Sequence, residues 1–279
     1  CMRNFEIQIL EGKTGKIKEK IPAPNSKPTR RHPGDFSEDI YYRISGDSIM
    51  FCNVSGNSSP RDILIKDRYH NVWIYNSKLE LLWEASCNTG HYPCAYDIDG
   101  DGKDEIVIGY TLFDHNGSKL WEVPDLRDHA DGIVVSPIGL DGEVKIVIAG
   151  GDDGIMIVDK NGNTIVRHNI GHAQTPSVAK FFPEMPDLQI CTITYWKYPG
   201  TICLFDSKGN MLSKFEIYPI GSPLLPVNWK GDGQEYIFFS GDTVYGGLFD
   251  GRGNRVLGFP DDGHPILCCT ALDLLGDPR

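Results

Sequence analysis

The sequence contains no apolar run approaching the ~20 residues of a membrane span. Nor does it contain a periodic helical stripe, which removes Rossmann, TIM-barrel and helix-bundle readings. Positive charge is scarce: 27 Lys and Arg stand against 38 Asp and Glu, a formal net charge of −11. That balance argues against DNA or RNA as a partner, because phosphate binding rests on clustered basic side chains. The eight cysteines form no CxxC pair and no metal-ligand spacing. The adjacent Cys268 and Cys269 would point to opposite sides of a strand, so neither a disulfide nor a redox compartment follows. No leader pattern precedes Cys1-Met2-Arg3, which predicts a mature or truncated chain.

What is present is repetition. Within 279 residues, six copies recur of an apolar alternating strand, a polar turn with Gly or Asn, and a second strand. They are Ile7–Ile17, Val72–Trp83, Thr111–Trp121, Ile155–Ile165, Ile202–Leu212 and Gly247–Leu257. The turn residues Asn76, Asp114, Asp159, Asp206 and Asp250 lie 38, 45, 47 and 44 residues apart. A further strand pair precedes most copies, as in Cys94–Asp97 with Glu105–Gly109. Four short strands per ~40–50 residues is the pattern of a β-propeller blade. The expected fold is all-β, an incomplete part of a seven- or eight-bladed disc. Residues 5–23 supply the outer strands of a first blade and 24–45 a long inter-blade loop. Residues 46–262 supply five complete blades and 263–279 the start of a last one. Trp73, Trp83, Trp121 and Phe205 recur in outer strands, where they pack blade on blade.

Asp97-Ile-Asp-Gly-Asp-Gly-Lys-Asp-Glu105 is a calcium-loop pattern. Asp97, Asp99 and Asp101 can face one cation, Lys103 can offer its carbonyl and Glu105 can close the ligand set. Acids crowded into nine residues repel one another without a cation. Asp104 is expected to point outward. The corresponding loops elsewhere are eroded. Pro137–Lys145 keeps only Asp141, Asn228–Tyr236 carries Lys230 at a ligand position, and Asp273–Asp277 is incomplete. One calcium ion is therefore expected, pinning the first two strands of one blade.

Several patches resemble the rhamnogalacturonan lyase family, whose members have calcium-binding, FG-GAP-like propellers of eight blades. They are Arg61–Tyr69, Asn88–Pro93, Tyr96–Ile106, Asp128–Gly132, Asp261–Pro265 and Leu272–Asp277. The resemblance implies a monomeric lyase, extracellular or periplasmic, that cleaves an acidic pectic polysaccharide by β-elimination. Such chemistry requires a cation, Arg or Lys to neutralise the uronate carboxylate and a base to take the C5 proton.

Connectivity suggests where such groups gather. The first turn of a blade lies on one face of the disc; the second turn and the inter-blade connection lie on the other. His91, His129, His172 and His264 fall in connections, so they are expected opposite the calcium loop. Second turns add Lys66, Arg68, Tyr195, Trp196 and Lys197. His91 and His129 are the candidate reaction centre, with Lys66 or Arg68 holding the carboxylate. The blander reading of those two cations is a salt bridge to Asp67 or Asp62. His172, His264, Tyr195, Trp196 and Lys197 are candidate sugar contacts. His70, His115 and His168 fall in or near outer strands and receive no role. A non-catalytic FG-GAP-like module for carbohydrate binding or adhesion is the competing function, and a quinoprotein-like propeller a more remote one.

Overall fold

The structure, a computed structural model, describes residues 6–24, 46–218, 224–239 and 244–259. The expected loop 24–45 (all but Pro24), the start of a last blade and His264 lie outside them. The chain forms two compact units, Cys1–Ala130 and Asp131–Arg279. Among the described residues there is no helix, and every sheet is an antiparallel meander.

The first unit opens with a hairpin, β1 (Glu6–Leu10) and β2 (Ile17–Pro22). Two four-stranded sheets follow. One comprises β3 (Ser48–Cys52), β4 (Asp62–Lys66), β5 (Asn71–Tyr75) and β6 (Leu81–Ser86). The other comprises β7 (Cys94–Tyr96), β8 (Glu105–Ile108), β9 (Thr111–Phe113) and β10 (Lys119–Glu122). The second unit holds three more. They are β11 (Gly132–Pro137) to β14 (Thr164–His168) through β12 (Val144–Ala149) and β13 (Ile155–Asp159), and β15 (Ala173–Ala179) to β18 (Met211–Tyr218) through β16 (Gln189–Thr194) and β17 (Gly200–Phe205). The last comprises β19 (Leu224–Val227), β20 (Tyr236–Phe239), β21 (Gly247–Phe249) and β22 (Arg255–Gly258).

Burial explains the sequence pattern. The second and third strands of the four-stranded sheets are largely buried; β8 and β9 are buried throughout and are apolar after Glu105 and Thr111 at their starts. Fourth strands such as β6 and β10 are exposed edges on which apolar and polar residues alternate, with Glu84 and Lys119 facing water. Neighbouring sheets share cores: Leu64, Ile74 and Cys52 pack with Ile106, Ile108 and Phe113. In the second unit Phe181, Ile193 and Leu204 pack with Ile237, Phe239 and Phe249.

The turn between third and fourth strands has the same backbone bonds in all five four-stranded sheets, headed by Asn76 in the first and by Asp in the other four. In the second unit, Asp159 Oδ1 accepts the N–H groups of Asn161 and Asn163, each at 2.9 Å, and Asp206 and Asp250 repeat this. Asp114 heads the same turn in the first unit, closing it by its own N–H to Ser118 O at 2.9 Å. The glycine of this turn sits at positive φ, and Gly117, Gly209 and Gly253 each meet the fourth strand of the preceding sheet. Gly117 has φ +86°, and a Cβ there would lie 2.8 Å from the Trp83 ring. Trp83 also donates Nε1–H to His115 O at 2.9 Å, so it joins two sheets as its recurrence suggested.

Candidate functional site

In the first unit, the turn after β4 and the connection before β7 come together. Lys66 ends β4 with no exposed surface, although it is charged. Its Nζ donates to Asp47 Oδ2 at 2.7 Å, to the Gly90 carbonyl, and to His91 O at 3.3 Å. Burial lowers the Lys66 pKa, and the Asp47 carboxylate opposes that shift. Asp47 also accepts from Arg68 Nε at 3.1 Å and faces His91 Nδ1 at 3.1 Å. Burial alone would raise the Asp47 carboxyl. Hydrogen bonds from His91 and Lys66 outweigh it and hold the group well below the ordinary carboxylate range.

Three rings stand around this core. Tyr69 has φ +87°, a left-handed conformation unusual for a bulky residue, and follows the turn that carries Arg68. Its ring centroid is 5.4 Å from that of His91 and 4.8 Å from that of His129; the two imidazoles are 4.9 Å apart, edge to face. Tyr69 Oη lies 3.5 Å from His91 Nε2. His129 Nδ1 is 2.7 Å from Asp128 Oδ1, which sets the proton on Nδ1 and makes Nε2 the basic nitrogen. The close passage of Gly90 along Ala130, where a Cβ would be 2.3 Å from the Ala130 oxygen, brings His91 to His129.

His91, His129, Lys66 and Arg68 are thus gathered in one place, but with unequal availability. Lys66 differs from its expected role. All of its described partners are internal, so it is a strut under the site rather than a contact for a uronate. Its partner is Asp47, not Asp67 or Asp62. Arg68, 40% exposed, is the accessible cation. Asp47 went unread in the sequence; Tyr69 and Asp128 stood only within the patches Arg61–Tyr69 and Asp128–Gly132, with no role of their own. Asp47 could have been found, since it sits immediately before the first strand of a sheet, in the kind of connection that carries His91.

In the second unit, His172 is buried, with Nδ1 2.7 Å from Asp152 and Nε2 3.0 Å from Asp131. Its ring is buried between the buried Asp131 and the exposed Asp152, which corrects its expected role as a sugar contact. The turn after β16 carries Tyr195, Trp196 and Lys197, tied to the His172 carbonyl by Tyr195 N–H at 2.8 Å. Trp196 and Lys197 are consecutive left-handed residues at φ +36° and +63°, and Trp196 is 61% exposed beside the Tyr195 ring.

The acidic loop lies at the other end of β7 from His91. Asp97, Asp99 and Asp101 place carboxylate oxygens within 4.8 Å of one another. Asp97 accepts the N–H groups of Gly100 and Gly102, and Asp101 that of Lys103. Glu105 is 2% exposed; Oε2 accepts Ile98 N–H at 2.7 Å, while Oε1 is buried without a hydrogen-bond partner among the described residues. Burial, with Asp99 and Asp101 nearby, pushes the Glu105 carboxyl up. An all-oxygen donor set with an unsatisfied buried oxygen fits a hard divalent cation. Asp104 points away from this cluster, but not to water. It accepts Asn53 N–H at 2.7 Å and returns its own N–H to Asn53 O at 3.1 Å, locking the loop to the β3–β4 turn.

No family model matches the sequence. A stretch of 130 residues is 27% identical to rhamnogalacturonan endolyase YesW of Bacillus subtilis (strain 168), covering 41% of this chain and 20% of that protein. Among solved structures, the exotype rhamnogalacturonan lyase YesX superposes with a TM-score of 0.66 at 19% identity, over 88% of this chain and 43% of that one. Rhamnogalacturonan lyase YesW gives 0.58 at 17% identity, over 88% and 46%. The chain therefore shares a fold with these proteins and spans less than half their length.

Proposed function

We propose that the chain is the β-propeller portion of a calcium-binding, FG-GAP-like polysaccharide lyase. It acts outside the cytoplasm on an acidic, rhamnogalacturonan-like pectic polysaccharide. The observation that carries this reading is the convergence of Tyr69, His91 and His129 beside Arg68, in a chain whose relatives are named as rhamnogalacturonan lyases.

β-Elimination breaks the bond between C4 and the glycosidic oxygen after the C5 proton leaves. Arg68 pairs with the uronate carboxylate, which lowers the cost of negative charge developing at C5. His129, its tautomer set by Asp128, takes the proton on Nε2; imidazole is suited to this near pH 7. The C5 electron pair forms the C4–C5 double bond and expels the glycosidic oxygen, which receives the Tyr69 hydroxyl proton. Asp47 holds His91 and Arg68 in register. The exposed Tyr195–Trp196 turn, with Lys197, supplies a surface on which a sugar ring can stack. Asp97, Asp99, Asp101, Glu105 and the Lys103 carbonyl would hold calcium, which would neutralise the loop and fix β7 to β8.

The test is incubation of the chain with rhamnogalacturonan while ultraviolet absorbance of the unsaturated product is followed. His129→Ala should lower kcat by ~10²–10⁴, the range for a lost general base, without moving the melting temperature. Full activity in that variant refutes the assignment of the base. Polysaccharide binding without product in the unaltered chain favours a non-catalytic binding module.

A further inference from the structure

His115, in the turn between β9 and β10, reaches the acidic loop. One donor atom each from Asp101, Glu105 and His115 lie within 4.8 Å of one another. The histidine is oriented: Nδ1 lies 2.7 Å from Asp114 Oδ1 and 3.9 Å from Asp101 Oδ2, which places the proton on Nδ1 and leaves the Nε2 lone pair to a cation. Nε2 is met by a cation, the Lys103 ammonium, at 3.0 Å; the same ammonium lies 3.9 Å from Asp101 Oδ2. Glu105 brings a carboxylate that is 98% buried and has one oxygen unpartnered among the described residues.

We propose that Asp101, Glu105 and His115 form a transition-metal site, distinct in chemistry from the calcium set with which it shares two residues. Two carboxylates and an imidazole backed by a carboxylate suit zinc, cobalt or manganese, whereas calcium takes oxygen. The Lys103 ammonium is the internal competitor. A divalent ion replaces it between Asp101 and Nε2, and the lysine side chain, 35% exposed, swings into water. Asp97 and Asp99 lie outside this ligand set, so the two cations separate by variant. They also compete, because Asp101 and Glu105 serve both.

The probe is Co²⁺, whose visible absorption bands report nitrogen ligation, titrated into the full chain with Zn²⁺ as competitor. Saturable bands at one equivalent, displaced by Zn²⁺, are expected. His115→Ala should weaken cobalt binding at least tenfold while leaving any thermal stabilisation by Ca²⁺ in place. Asp99→Ala should do the reverse, and Lys103→Met should tighten cobalt severalfold. Absent bands at millimolar Co²⁺, or equal titrations for His115→Ala and the unaltered chain, overturn the proposal. Loss of the calcium response alone counts against the calcium loop, not against this site.

Discussion

Replacing Asp47 with Asn tests whether the candidate reaction centre rests on a buried charge. The carboxylate is 13% exposed and holds an ammonium with no exposure at all. Asn keeps the size and an acceptor oxygen but loses the charge, so Lys66 keeps hydrogen-bond acceptors, the Gly90 and His91 carbonyls among them, without the countercharge of Asp47. Removing one partner of a buried pair costs ~3–5 kcal/mol, because the other charge is left uncompensated. At ~2–4 °C per kcal/mol, the transition involving the first unit should fall by roughly 10 °C. Urea denaturation should show a lower midpoint with an unchanged slope. Arg68→Ala, which removes an exposed partner of the same carboxylate, should cost under ~1 kcal/mol. The double variant Asp47→Asn with Lys66→Met removes both charges and should be destabilised by less than the sum of the singles.

The pH dependence follows from the lowered Asp47 pKa. A carboxylate whose pKa is lower folded than unfolded stabilises the protein above the unfolded value of ~3.9. That contribution is lost as pH falls from there through the folded value. The unaltered chain should therefore lose stability steeply below about pH 4, and Asp47→Asn should show a shallower acid slope. A loss below ~1 kcal/mol in Asp47→Asn, or strict additivity with Lys66→Met, refutes the buried-strut account.

Gly117→Ala forces a side chain into a φ of +86° and against the Trp83 ring, and should cost about 1–3 kcal/mol by thermal melting. Lys180→Met removes the ammonium around which the Met185, Pro186 and Asp187 carbonyls gather, and should cost ~1–3 kcal/mol by urea denaturation. If the acidic loop takes calcium as proposed, chelator should lower the melting temperature of the unaltered chain but not of Asp99→Ala.

Strand positions were legible because each sheet writes its burial into the sequence. The covered strands β8 and β9 are apolar after their first residue, and the Asp-x-x-Gly turn recurs because its geometry demands an acceptor and a positive φ. Connectivity put His91 and His129 on one face with His172 and His264, and the family resemblance singled out the pair, whose rings lie 4.9 Å apart. Side-chain direction was not legible. Lys66 looks like any turn cation in sequence, yet ends a fully buried strand, and only the fold brings Asp47 to it from 19 residues away. His172 fails as a sugar contact for a similar reason, since its ring is buried against Asp131 and only Asp152 beside it reaches the surface. His115 received no role because its reach to the acidic loop crosses β8 and β9 rather than following the chain.

The loops after the first strands meet one electrostatic need in different ways. At the head of the second strand, Glu105 in β8 corresponds to Lys145 in β12 and Gln189 in β16. Glu105 accepts Ile98 N–H, and Gln189 Oε1 accepts Phe182 N–H at 2.9 Å, so the neutral residue keeps the loop-closing bond without the charge. Lys145 instead brings the positive charge itself, 3.7 Å from Asp141 and bonded to Ser207 O at 3.3 Å. In the β15–β16 loop the cation is Lys180, and its main-chain N–H is in turn held by Glu235 from the next loop at 2.7 Å, as Asn53 is held by Asp104. A covalently attached ammonium needs no recruitment and does not leave on chelation. Where it is present, converging carboxylates are dispensable, which accounts for their erosion around Asp141 and their absence around Lys180. Residues 97–105 are the contrasting case: the oxygens of Asp97, Asp99 and Asp101 converge, Glu105 brings a buried carboxyl, and the Lys103 ammonium, 35% exposed, stands 3.9 Å from Asp101 and 3.0 Å from His115 Nε2. If the loop takes a metal as proposed, a diffusible ion would have the most to contribute there.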